Sequence, residues 1–180
     1  MIYRRAVKQA RQDRRVKGES WIGSDQTAVD TQSLITKICR GTNDFVFCNN
    51  VFEKHLYTPT TDIKGLTQIA ITQTTIYATN TRIFISKAIA AEKNKELQNL
   101  YRICLTGYEL LLGQFVDANL NFAKGDYRSM LFNIGKCERF VSDCQNVLGG
   151  SRAPPQLGTQ NNQNRVLVQM SRLSGELIGK

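Results

Sequence analysis

The residues with the most specific chemistry available to them are five cysteines and one histidine: Cys39, Cys48, Cys104, Cys137, Cys144 and His55. Zinc binding is excluded by spacing. No two cysteines stand at the C-x2-C separation of a zinc site, and a single histidine cannot complete a cluster. A Cys–His nucleophile fails on geometry. Cys48 and His55 are seven residues apart on one expected helix, about 10 Å of axial rise and far beyond hydrogen-bond reach. His55 reads instead as the solvated end of that helix. No G-x-S-x-G elbow, Walker loop or G-x-G-x-x-G turn occurs. Glu92 and Glu96 sit in a lysine-rich helix-end region and read as surface charge. No catalytic residue, cofactor or metal is expected. The chemistry left to the cysteines is disulfide bridging or burial as thiols.

The elements that must position them are helices. Short segments around Leu34, Ile35 and Ile38, and from Asp44 to Leu56, are separated by Gly41 and ended by Pro59. Four longer segments follow. Leu66, Ile69, Ile76 and Ile83 keep a 3/4 spacing between about Asp62 and Ala90, with gaps at Gln73 and Asn80. Leu97, Tyr101, Cys104, Tyr108, Leu111, Phe115, Ala118 and Phe122 alternate steps of four and three without a miss. Tyr127, Met130, Ile134, Cys137, Val141, Cys144 and Leu148 repeat that rhythm, and Val166, Met170, Leu173 and Leu177 close the chain. Such seams belong to neighbouring helices crossing at a shallow angle. Lys124-Gly125-Asp126 is a tight helix–helix turn, with Gly125 closing one helix and Asp126 capping the next. The stretch from Gly149 to Gly158, with Pro154 and Pro155, breaks the chain before the last helix. The expectation is all-α: an up-down-up-down four-helix bundle over 59–180 preceded by a helical hairpin over 33–58.

This arrangement sorts the cysteines. Cys39 and Cys48 lie one on each hairpin helix, and either a bridge or two buried thiols fits them. For the other three, folding the chain about Gly125 places Cys144 almost level with Cys104. Cys137 falls seven residues earlier, about 10 Å away along the helix. A disulfide tolerates a Cα separation of only about 4.4–6.8 Å, so the pair is Cys104–Cys144 and Cys137 stays free.

With 180 residues and 41% hydrophobic content, the chain can bury a substantial core, and no apolar run is long enough to span a membrane. Its net charge of +9 is unevenly spread. Residues 1–18 hold seven bases against Asp13 alone. This basic tail, within a segment 1–32 separate from the domain over 33–180, lacks interleaved aromatics apart from Tyr3, and the bundle has no basic recognition helix, so no specific nucleic-acid partner is expected. Trp21 reads as linker. No apolar core of a secretory signal peptide follows the tail's charges.

The spacing Cys39-x8-Cys48, then Tyr101-Arg102-Ile103-Cys104 with Tyr108 four residues on, then Gly125-Asp126-Tyr127 and Cys144, resembles the plant invertase and pectin methylesterase inhibitors. Asp62-Ile63-Lys64-Gly65-Leu66 is similar to the family's segment opening the first bundle helix, and the likeness covers 33–180. It implies a small secreted protein with bridges Cys39–Cys48 and Cys104–Cys144 that inhibits a carbohydrate-active enzyme through a one-to-one complex. An extracellular place, the plant cell wall, follows from the resemblance and stands against the visible N-terminus. Invertase inhibitors carry Pro-Lys-Phe after Gly-Asp; this chain reads Tyr127-Arg128-Ser129, like the pectin methylesterase branch. That branch often has threonine before its last paired cysteine, where this chain has Asp143. The resemblance puts the enzyme contacts around Asp126, Tyr127, Arg128 and Asp143, although Asp126 also suits a helix cap and Tyr127 the helix seam. The expected partner is a pectin methylesterase whose substrate groove is occluded. The alternatives are an acid invertase, or a structural relative without inhibitory activity.

Overall fold

The structure is a computed structural model that describes residues 24–149 and 154–178. The basic segment 1–18 and Trp21 lie outside the described residues. Helices run Ser24–Arg40 (α1), Phe45–His55 (α2), Ile63–Ala91 (α3), Lys95–Ala123 (α4), Tyr127–Gly135 (α5), Cys137–Val147 (α6) and Pro155–Glu176 (α7). No strand occurs among the described residues. The first helix begins at Ser24, inside the segment 1–32.

Short polar side chains set most of the boundaries. Asp44, Asp62, Asn94 and Asp126 each accept from backbone N–H groups of the following first turn, satisfying donors that an α-helix leaves orphaned. Gly125 takes a φ of 76°, the left-handed conformation that lets α4 end and α5 start at once. His55 is the last residue of α2, at the helix end where the sequence put it.

Helices α3, α4, the α5–α6 rod and α7 close a ring around one core, each packed against its neighbours. The hairpin α1–α2 lies against α3 and α7 over a smaller core of Ile35, Ile38, Val51, Phe52, Leu66 and Met170. Thr31 ties the two units together: its hydroxyl donates to the Thr61 carbonyl (2.7 Å) and accepts from the Thr61 N–H (2.9 Å).

Three sequence expectations need correction. The third bundle helix is interrupted at Lys136, so α5 and α6 replace one continuous helix. Lys136 N–H bonds back to Asn133 O, a tightened turn beside Gly135, the weakest helix former in the segment. The buried seam nevertheless runs through the break, from Met130 and Ile134 to Cys137, Val141 and Cys144.

The last helix starts at Pro155, so the expected break from Gly149 to Gly158 ends sooner and Gly158 lies inside the helix. Proline suits a first helical turn, which needs no N–H donor there. The apolar seam read from Val166 onward does not show its inward positions in the first half, Leu157, Asn161 and Asn164, a core face written partly in asparagine. Tyr108 hydroxyl donates to Asn161 Oδ1 (2.7 Å), and Asn161 Nδ2 donates to Gln145 Oε1 (3.1 Å). Asn164 Nδ2 donates to Thr81 Oγ1 (2.9 Å). Polar groups can be buried here because they are paired. Burial also pushes the Tyr108 hydroxyl's pKa well up, so it remains a neutral donor.

The third correction concerns α3. Its inward face carries Thr67, Ala70, Thr74, Ala78, Thr81 and Ile85, while Ile76 and Ile83 point outward. Small residues let α3 and α7 approach closely. The buried threonines do not waste their hydroxyls: Thr67, Thr74 and Thr81 donate to the carbonyl four residues back, and Thr74 also meets Ser171 Oγ at 3.0 Å.

Candidate interaction surface

Two covalent staples hold the frame. Cys39–Cys48 joins α1 to α2 with a Cα separation of 5.5 Å, and Cys104–Cys144 joins α4 to α6 at 4.6 Å. Asn161 Nδ2 also reaches Cys144 Sγ at 3.5 Å, so the second bridge belongs to the buried polar network. Cys137 is a buried free thiol whose pKa burial pushes up to about 12; a thiol held protonated in this way is chemically inert.

Asp126, Tyr127 and Arg128 stand together at the α4–α5 turn. The Asp126 carboxylate accepts from Ser129 N–H at 3.0 Å. Hydrogen bonds from Ser129, with Arg128 and Lys124 adding positive charge nearby, hold its pKa below the usual carboxylate range. Tyr127 is half-buried against the bundle core, its ring 5.9 Å from Phe122 and 5.8 Å from Lys64 Nζ. Arg128 is exposed. Asp143 is exposed on α6, 3.5 Å from Arg139 one turn away. Seventeen residues of nearly continuous helix separate it from Asp126, about 25 Å of rise. The four residues therefore form a compact turn cluster and one distant carboxylate rather than one patch.

Another surface, whose apolar character the sequence did not announce, lies between α3 and α4. A groove of about 330 Å³ has Ile71 and Phe115 in its floor and Ile76, Val116 and Leu120 among its walls, and no charged side chain lines it. Those three wall residues are 46%, 56% and 53% exposed. Gln68 Nε2 bridges the groove near one end, donating to Thr72 Oγ1 and Asn119 Oδ1 at 3.2 Å each. Exposed aliphatics are ordinary when scattered, whereas a contiguous rimmed set marks an interaction surface. The signal in the sequence was Ile76 and Ile83, which keep helical spacing with the core yet fall outside it. Chemically the groove can offer aliphatic contact and amide hydrogen bonds. It holds no acid, base or nucleophile. No group of three or more metal-ligating side chains exists among the described residues, and none of their helices is long and apolar enough to cross a membrane.

A doubly stapled helical bundle presenting an uncharged, largely apolar groove has the character of a protein-binding module. The plant invertase/pectin methylesterase inhibitor family model matches residues 33–176, and the chain belongs to that family, whose members are inhibitors rather than enzymes. Two solved structures share the fold. One is a mutant form of a pectin methylesterase inhibitor from Arabidopsis, 17% identical, with a TM-score of 0.72 over 79% of this chain and 95% of that one. The other is a pectin methylesterase inhibitor from Arabidopsis thaliana, also 17% identical, with a TM-score of 0.64 over 82% and 97%. No curated protein sequence matches the chain.

Proposed function

We propose that the protein inhibits a pectin methylesterase, docking its α3–α4 face on the enzyme as a one-to-one complex and occluding the substrate groove. The observation that carries this reading is the uncharged groove walled by Ile76, Val116 and Leu120 on a doubly stapled frame. A rigid helical face loses little conformational entropy on binding, and exposed aliphatics supply the dry centre of an interface. In this reading Arg128 and Asp126 contribute to the polar rim near the α4–α5 turn, while Asp143 makes a separate contact on α6. Tyr127 serves mainly as a packing residue.

Family membership supports an inhibitory role, and the absence of Pro-Lys-Phe after Asp126 favours the esterase over an acid invertase. Two disulfides suit an oxidising compartment, and we place the protein outside the cell, in the plant wall. The domain doing this work is residues 33–180, extended at its front by the start of α1, whose Thr31 is bonded to Thr61. Titrating the full chain into a plant pectin methylesterase and, separately, an acid invertase at matched acidic pH tests the reading. Stoichiometric loss of esterase activity alone supports it. Loss of invertase activity alone transfers the assignment to that enzyme, and no effect on either leaves a structural relative.

A further inference from the structure

A second recess lies where the first turn of α2 meets the first half of α7. It measures about 420 Å³, and its lining brings Asn43, Asp44 and Phe47 together with Thr159, Asn162, Gln163, Arg165 and Val166. Its walls are fixed. Gln169 Oε1 accepts from Asn43 N–H at 3.0 Å, pinning the α1–α2 loop to α7. The Cys39–Cys48 bridge holds the same loop from the other side, and Phe47 packs edge-on to Tyr77 with ring centroids 5.9 Å apart.

Arg165 is the unusual member. It is the one arginine among the described residues whose Nε is buried without an acceptor, and its guanidinium makes no ion pair among them. A partly buried cation without a partner costs free energy unless a ligand supplies the negative charge. The nearest protein carboxylate on the recess, Asp44, is committed to capping α2 through Phe47 N–H at 2.9 Å.

The composition of the recess narrows the ligand. One guanidinium accepts one carboxylate in a bidentate fork. The Asn43, Asn162 and Gln163 amides with the Thr159 hydroxyl offer both donors and acceptors, the pattern that hydroxyl groups need. Phe47 and Val166 give the apolar contact that a sugar ring's C–H face can use. Asp44 in the lining repels a compact dianion such as phosphate or sulfate more strongly than a single carboxylate, whose charge is half as large, and the volume lies within the ~300–1,000 Å³ range of small-ligand sites. We propose that this recess between α2 and α7 binds a carboxylate-bearing sugar, a hexuronate unit of an acidic polysaccharide, with Arg165 on the carboxylate.

Binding of a short galacturonate oligomer to the full chain, read by calorimetry with matched galactose oligomer and sodium sulfate as controls, tests the proposal. The galacturonate oligomer is expected to bind while the neutral oligomer and sulfate do not. Arg165→Gln should weaken it roughly tenfold or more, the effect of losing a charged hydrogen bond. Asn162→Asp, at an exposed position that leaves packing untouched, should weaken it as well by repelling the carboxylate. Binding unchanged in both variants would assign the uptake to the basic N-terminal segment and overturn the proposal. So would equal binding of sulfate, or no binding of the galacturonate oligomer to a folded chain. The site is separate from the α3–α4 groove, so either reading can fail alone.

Discussion

The hairpin and the bundle each carry one disulfide, but the bridges do different work. Cys39–Cys48 spans nine positions at the periphery and fixes a local corner beside a small satellite core. Cys104–Cys144 spans forty positions and sits in the main core, touching the polar network that registers α7 against α3, α4 and α6. The difference teaches that a cross-link is worth more where it fixes the relation of distant helices than where it tightens a neighbouring pair. Loop-closure entropy and the company of each bridge point the same way.

The strongest way to break that comparison is to remove each bridge in turn. Cys104→Ala with Cys144→Ala is expected to cost about 4 kcal/mol, and Cys39→Ala with Cys48→Ala about 3 kcal/mol, from chain entropy alone. Urea unfolding measures both. Hydrogen exchange sharpens the contrast: losing the hairpin bridge should expose α1 and α2 amides while α4 and α6 stay protected. Equal losses, spread over the whole chain in both cases, would refute the distinction.

A smaller effect probes packing near the bundle bridge. A Cβ on Gly107 would sit 3.2 Å from the Phe140 carbonyl oxygen, so Gly107→Val must push α4 off α6. Overpacking of this kind costs about 1–3 kcal/mol, visible as a lowered denaturant midpoint. Smaller still, Tyr108→Phe removes the hydroxyl that Asn161 Oδ1 accepts. Leaving that buried oxygen unpaired should cost about 1–2 kcal/mol, with no comparable loss from a hydroxyl deleted at exposed Thr72.

The smallest effect concerns the exposed turn. Because the folded pKa of Asp126 lies below its unfolded value, its stabilisation is fully present above the ordinary aspartate pKa of about 3.9 and fades as pH falls through the lowered value. The melting-temperature gap between wild type and Asp126→Ala should therefore be open near neutral pH and close under strong acid. A gap that persists under strong acid would contradict the capping account.

Legibility in the sequence followed the chemistry of the core. Where the seam is apolar and regular, as from Tyr101 to Ala118 and from Met130 to Cys144, residue spacing alone identifies the buried face. Where the core is small or polar, it does not. Thr74, Ala78 and Thr81 carry no strong apolar signal, so Ile76 and Ile83 look like the inward face of α3, and buried Asn161 and Asn164 give no sign of facing a core. These substitutions are affordable only because partners on other helices complete their hydrogen bonds, and partners are a tertiary fact. The candidate site suffered the same blindness. The Asp126–Arg128 turn was visible as a motif, but the groove beside Val116 emerges only once α3 is seen to turn its isoleucines outward. Arg165, too, is unremarkable in the sequence and becomes informative only through the acceptor it lacks.

The central claim is that the α3–α4 face carries inhibition. The most direct measurement compares wild type with the double variant Ile76→Glu and Val116→Glu as inhibitors of a plant pectin methylesterase. Both positions are about half exposed, so the variant should unfold at nearly the same temperature as wild type. Two carboxylates placed in a dry interface without partners should weaken inhibition by roughly 100-fold or more. A folded variant that inhibits the esterase as strongly as wild type would contradict the account.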